Sequence, residues 1–357
     1  MAYTTIDNPE LYFQTKLYTG DGSTTQAQTF DGSEDMAPDL VWIKSRSNAE
    51  AHSMTDNVRG VTKWLESDST AAEQTNANTM KAFGTDGFSV GLAGSVGDTS
   101  QTYVAWCWKG GTTSGKSTTS ETITPSGYSI NATSGFGVFT WSGSGSNGTI
   151  THGLGGDVSK GMILVKRLNS TAGWQVYHQG TGATHTIYLN STAVADDSDT
   201  VWNDTAPTSS VFTLGTNAGT NASGGTYVGY VFAPKQGFSK FGKYTGNANA
   251  EGTYVYTGFS PSFVMAKMIS GTGNWNTFDN KRTDSGAVGG NVIDKRIKNN
   301  DSAAEIDGSA NRVDFLANGF KWRGTDDDTN VSSGTFIYMA FAESPFVNSN
   351  GVPSTAR

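Results

Sequence analysis

The sequence predicts an all-β protein built as three tandem β-sandwich domains, jelly-roll or lectin-like, of roughly 100 residues each. Three observations predict it. Glycine supplies 45 of 357 residues, about 13 % against a usual ~7 %, and there are only 11 leucines, so helix-forming composition is lacking. Short runs of Val, Tyr, Phe and Trp, which suit pleated half-buried surfaces, are punctuated by Gly, Ser, Thr and Asn. Finally, one pattern of strands recurs three times along the chain.

The chain opens with Asn8-Pro9-Glu10, which suits the cap and first turn of a short helix. An aromatic-threonine strand then begins each copy: Lys16-Leu17-Tyr18-Thr19-Gly20, Gly137-Val138-Phe139-Thr140-Trp141 and Gly242-Lys243-Tyr244-Thr245-Gly246. Next comes an apolar strand ending in lysine: Val41-Trp42-Ile43-Lys44, Ile163-Leu164-Val165-Lys166 and Val264-Met265-Ala266-Lys267. Eight residues on stand His52, Trp174 and Trp275, and twelve on stand Asp56, His178 and Asp279. The intervening polar stretches read as hairpin loops. After the acid, copies one and three continue alike, with Asp56-Asn57-Val58-Arg59 and Asp279-Asn280-Lys281-Arg282, whereas copy two has His178-Gln179-Gly180.

Each copy closes on a strand headed by Thr102-Tyr103-Val104-Ala105-Trp106-Cys107-Trp108, Thr226-Tyr227-Val228-Gly229-Tyr230-Val231-Phe232 or Thr335-Phe336-Ile337-Tyr338-Met339-Ala340-Phe341. Both faces are apolar, so this strand is expected at the centre of a sheet covered on both sides. The resulting division is 1–111, a flexible Gly/Ser/Thr linker at 112–125, 126–235, 236–347, and a loose tail at 348–357. Units one and two are expected to move independently, and units two and three to pack as a pair.

With 24 Lys+Arg against 32 Asp+Glu the net charge is -8, which offers no broad basic surface for nucleic acid or anionic membranes. Nowhere do 18 apolar residues run together, and the first twenty residues carry no apolar core of a secretory signal, so maturation in the cytoplasm is expected. Cys107, the only cysteine, lies in an apolar run and reads as a buried small residue.

Chemistry is sparsely signalled. His52, His152, His178 and His185 lack metal-site spacing, and the clusters Asp196-Asp197-Ser198-Asp199 and Asp326-Asp327-Asp328 lack a regular calcium-loop pattern. With no nucleophile or phosphate-loop motif, no enzymatic activity, metal or cofactor is expected. The repeated lysine and acid read as a cross-strand ion pair, Lys44 with Asp56 and Lys267 with Asp279. The sharper alternative makes Trp174, Trp275 and Asp279 a ligand-binding set, the tryptophans serving as sugar platforms.

Met1 to Pro9 with Tyr12-Phe13, Pro38-Asp39-Leu40-Val41-Trp42-Ile43-Lys44, Asp56-Asn57-Val58-Arg59-Gly60 and Tyr103-Val104-Ala105-Trp106 resemble the repeat proteins of marine bacteriophage virions, especially cyanophages. The resemblance is strongest over residues 1 to about 111. It implies a virion structural protein, a tail fibre or tail-associated subunit assembled in the host cytoplasm, attached through its first unit to other tail proteins. It also implies a homo-oligomer, with a trimer the first expectation, and contact with a host-surface glycan. A carbohydrate-binding adhesin is the alternative, and a polysaccharide depolymerase ranks below both.

Overall fold

The computed structural model describes residues 2–283, 291–308, 310 and 312–353. It is all-β, with antiparallel pairing throughout its named ladders. The short helical turn at Pro9–Leu11 is capped as the sequence suggests, Asn8 accepting from the Glu10 amide.

Each repeat forms one large sheet whose four central strands keep the same order. The opening strands are Phe13–Thr19, Phe136–Ser142 and Ser239–Thr245. Each pairs with its closing strand: Thr102–Trp108, Thr226–Phe232 or Thr335–Pro345. The closing strand pairs in turn with the lysine strand, Leu40–Ser45, Met162–Arg167 or Phe259–Met268, which pairs with a return strand at Ser53–Asp56, Gln175–His178 or Trp275–Asp279. The closing strand is therefore central, as its two apolar faces require. A smaller sheet covers one face. Its strands are Gln26–Gln28, Phe88–Val90 and Met80–Phe83 in unit one, Gly148–Thr151 and Val211–Leu214 in unit two, and Tyr254–Tyr256, Gly319–Trp322 and Val313–Leu316 in unit three.

The alternation along each closing strand sorts its residues between two cores. Tyr103, Ala105 and Cys107 join the cluster beneath unit one's small sheet, and Tyr227 and Val231 the corresponding one in unit two. The other face points into one central cluster shared by all three units, holding Trp42, Trp106 and Trp108, Leu164, Tyr230 and Phe232, and Met265, Met339 and Phe341. At its middle, Trp108, Phe232 and Phe341, the same position in each closing strand, face one another with ring centroids 6.0, 5.7 and 6.0 Å apart. The three repeats thus close around a pseudo-threefold axis, and the independent motion expected of units one and two does not fit a core they share.

The 112–125 segment is likewise more than a tether. Ile123 is buried in unit two's core, Lys116 and Glu121 form an ion pair with both side chains 2 % exposed, and the amides of Thr122 and Ile123 donate to the Thr149 carbonyl. Asp39 of unit one anchors its flanks, accepting from the Gly110 amide and the Ser129 hydroxyl at 2.6 Å each. One isoleucine and one ion pair in a Gly/Ser/Thr background are enough to seat it. At the far end, residues 348–353 form a turn whose Ser349 bonds Asp7; the rest of the expected loose tail lies outside the described residues.

Candidate functional site

The residues picked out by spacing converge on the seams between units. Lys44, Lys166 and Lys267 occupy equivalent places, opposite Val104, Val228 and Ile337 of their closing strands. All three are fully buried, and each ammonium donates to backbone carbonyls: Lys44 to Ser45, Lys166 to Ala172 and to Thr70 of unit one, Lys267 to Met268 and to Thr192 and Ala193 of unit two. Burial pulls all three down to about 8.

The residue twelve positions on does not face the lysine. Asp56 pairs with Leu40, His178 with Met162 and Asp279 with Phe263, because the hairpin turns back early enough to set the residue eight positions on, as Trp275 with Lys267, opposite the lysine. The carboxylates take arginine instead. Asp56 binds Arg59 at 2.6 Å and Asp279 binds Arg282 at 2.7 Å, and these arginines continue to Glu73 and Glu305 at 3.1 and 2.9 Å. Glu305 also takes Arg46 of unit one at 2.9 Å; burial opposes its ionisation, but Arg282 and Arg46 hold its carboxyl below the usual range.

Each seam repeats one arrangement. Asp56 accepts from the Tyr230 hydroxyl of unit two at 2.8 Å, and Asp279 from the Trp106 indole of unit one at 2.9 Å. In unit three the position matching Trp106 and Tyr230 is Met339, whose thioether offers no comparable donor. There the acid is replaced by His178, which bonds the Tyr338 carbonyl at 3.0 Å. The departure of copy two is thus matched by a change in the strand it faces. The residue eight positions after the lysine completes the ring. Trp174 donates to the Glu66 carbonyl at 2.8 Å, Trp275 to the Tyr188 carbonyl at 3.0 Å, and His52 meets the Lys298 carbonyl at 3.0 Å. Since His52 Nδ1 accepts from the Trp42 indole at 2.9 Å, its Nε2 carries the proton.

Trp174, Trp275 and Asp279, expected as a ligand-binding set, are each at most 1 % exposed, so no sugar ring can stack on either indole. They belong to different seams and serve as joints. What spacing alone conceals is that the partner of each repeated residue lies in the neighbouring copy. The one cue was the Asp-Asn-x-Arg run in copies one and three, in which the acid brings its own cation.

Elsewhere, Asp326 caps the turn Asp327–Asn330 and binds Arg296 at 2.8 Å, while Asp328 accepts from the Asn274 amide and side chain. Among the described residues no three His, Cys, Asp or Glu side chains are grouped to hold a metal ion, and no helix is long and apolar enough to cross a membrane. The chain matches the model of a domain of unknown function (DUF7483) over residues 8–345. No curated protein and no solved structure matches it.

Proposed function

The chain belongs to the DUF7483 family, and we propose that it is a non-catalytic structural component of a bacteriophage particle, in the tail or a tail fibre. The observation that carries the architectural part is the ring of joints: Lys166 and Lys267 together with the repeated His/Trp and Asp/His positions are spent on holding three units together. Such a body is stiff, because its seams are closed by buried charge-assisted hydrogen bonds as well as by aromatic packing. The particle assignment draws on the resemblance of the first hundred residues to virion repeat proteins. A body with internal threefold symmetry presents three similar outer faces, which suits attachment on the axis of a trimeric fibre.

Mass spectrometry of purified particles from the virus that encodes the chain is the test. The reading requires the protein at a fixed, repeatable stoichiometry to known tail subunits. Its absence from particles that are otherwise complete would overturn it.

A further inference from the structure

The three units treat the outer edge of their opening strand differently. In unit two, Gly127–Asn131 adds a strand to that edge, pairing Gly127 with Thr140 and Asn131 with Phe136. The preceding residues then bridge to the small sheet, where Glu121 meets Lys116 beside Thr151. In unit one, the loop around 31–35 lies along the strand, with Asp31 on Lys16 at 2.5 Å and the Glu34 carbonyl on Gln14. Both coverings carry a carboxylate, Asp31 reaching a lysine of the strand itself and Glu121 pairing with Lys116 of its own covering stretch.

Among the described residues unit three has no such cover: Ser239–Thr245 ends its six-stranded sheet. The strand registers make Val138, Thr140 and Ser142 the counterparts of Phe241, Lys243 and Thr245. In unit two the Thr140 carbonyl accepts from the Ser126 amide; the matching backbone groups of unit three face outward, the Phe241 carbonyl taking the Gln179 side chain and the Thr245 carbonyl the Thr253 hydroxyl. Between this edge and Tyr254–Tyr256 lies an open groove of about 540 Å³ lined by Lys240, Lys243, Tyr254 and Tyr256. Tyr254 and Tyr256 are 43 and 47 % exposed, two of the few large apolar side chains so placed, and the Lys240 ammonium sits 5.0 Å from the Tyr256 ring centroid. None of the groove's lining residues is acidic, in a chain of net charge -8. The neighbouring Glu251 is taken by Lys321 and Arg323.

We propose that this groove binds an extended, acidic peptide segment of a partner protein, which adds as a strand to Ser239–Thr245 and sets a carboxylate against Lys240 or Lys243. The two other units supply the template, since each fills the same place with an acid-bearing stretch of its own chain. A β-strand addition of this kind draws affinity from main-chain hydrogen bonds and selectivity from side-chain pockets. The inference stands apart from the particle assignment, because it rests on how the three units cover their edges and not on the resemblance to virion proteins.

Fluorescence anisotropy of the full chain with a labelled peptide of residues 118–131, the stretch that fills unit two's groove, provides the test. Saturable binding is expected, weaker in high salt and weaker for the peptide carrying Glu121→Gln. Lys243→Pro removes one outward N–H without breaking the ladder to the closing strand, and should weaken binding about tenfold or more. Lys240→Glu, which leaves the backbone untouched, should do the same if the proline variant fails to fold. Absence of binding, or binding indifferent to these substitutions, would overturn the proposal. So would binding of dextran sulfate with no binding of peptide, which would make the groove a glycan site.

Discussion

Asp279→Ala should destabilise the protein by about 3–5 kcal/mol, measured as a shift in the urea midpoint at constant slope. The carboxylate and its partner Arg282 are both fully buried at the seam between units three and one. Removing the acid leaves the guanidinium with the Glu305 carboxylate and the Thr277 carbonyl and strips the Trp106 indole of its acceptor. Asp279→Asn, which keeps an acceptor near Trp106 but loses the charge, should fall between wild type and alanine. Unit two offers a more searching comparison. There His178 and Thr181 occupy the places of Asp279 and Arg282, so the double variant Asp279→His/Arg282→Thr removes the cation along with the anion. It should cost less than Asp279→Ala. A double variant worse than the single one would mean that the buried arginine tolerates isolation, against the energetics assigned here.

Acidification from pH 7 to 4 is expected to weaken the fold through its buried histidines. Burial, reinforced by nearby Lys44, lowers His52 from 6.5 to about 3, and burial lowers His178 to about 4. The unfolded chain therefore binds protons at these imidazoles that the folded chain refuses. Stability is fully present above pH 6.5 and falls as pH drops through 4 toward 3. Asp68, raised by burial to about 6, works in the opposite direction between that value and 3.8 and offsets part of the loss. Together these three groups are expected to cost on the order of 4 kcal/mol at pH 4. Urea titrations from pH 7 to 4 measure that cost directly, and His178→Gln should flatten the slope by about three quarters, since Asp68 cancels most of what His52 contributes. An unchanged slope in that variant would show that His178 does not remain neutral in the folded protein.

Much of the fold was legible because strand alternation is a local property. The closing strands declared themselves by having two apolar faces, and the lysine strands by a charge at a fixed place in an apolar run. Those same two faces left open what covers them. For Val104, Trp106 and Trp108 the cover is the other two units, and no local pattern distinguishes a neighbouring repeat from a second sheet of the same repeat. The function of the spaced residues was hidden for the same reason. Asp56 reads as a partner for Lys44 along the chain, yet its hydrogen bond to Tyr230 spans 174 positions. Composition does not reveal how the 112–125 segment is held, because it averages over residues, whereas Ile123, Lys116 and Glu121 seat the segment individually.

The shared core makes one demand that separate sandwiches would not. A unit unfolding alone would expose its partners' side of the Trp108, Phe232 and Phe341 cluster, so the three must melt together. Differential scanning calorimetry of the full chain should give a single transition whose calorimetric and van't Hoff enthalpies agree, and Trp108→Ala should lower that transition without dividing it. Two or three resolved transitions, with Trp108→Ala moving only the one that belongs to unit one, would contradict the closed threefold body.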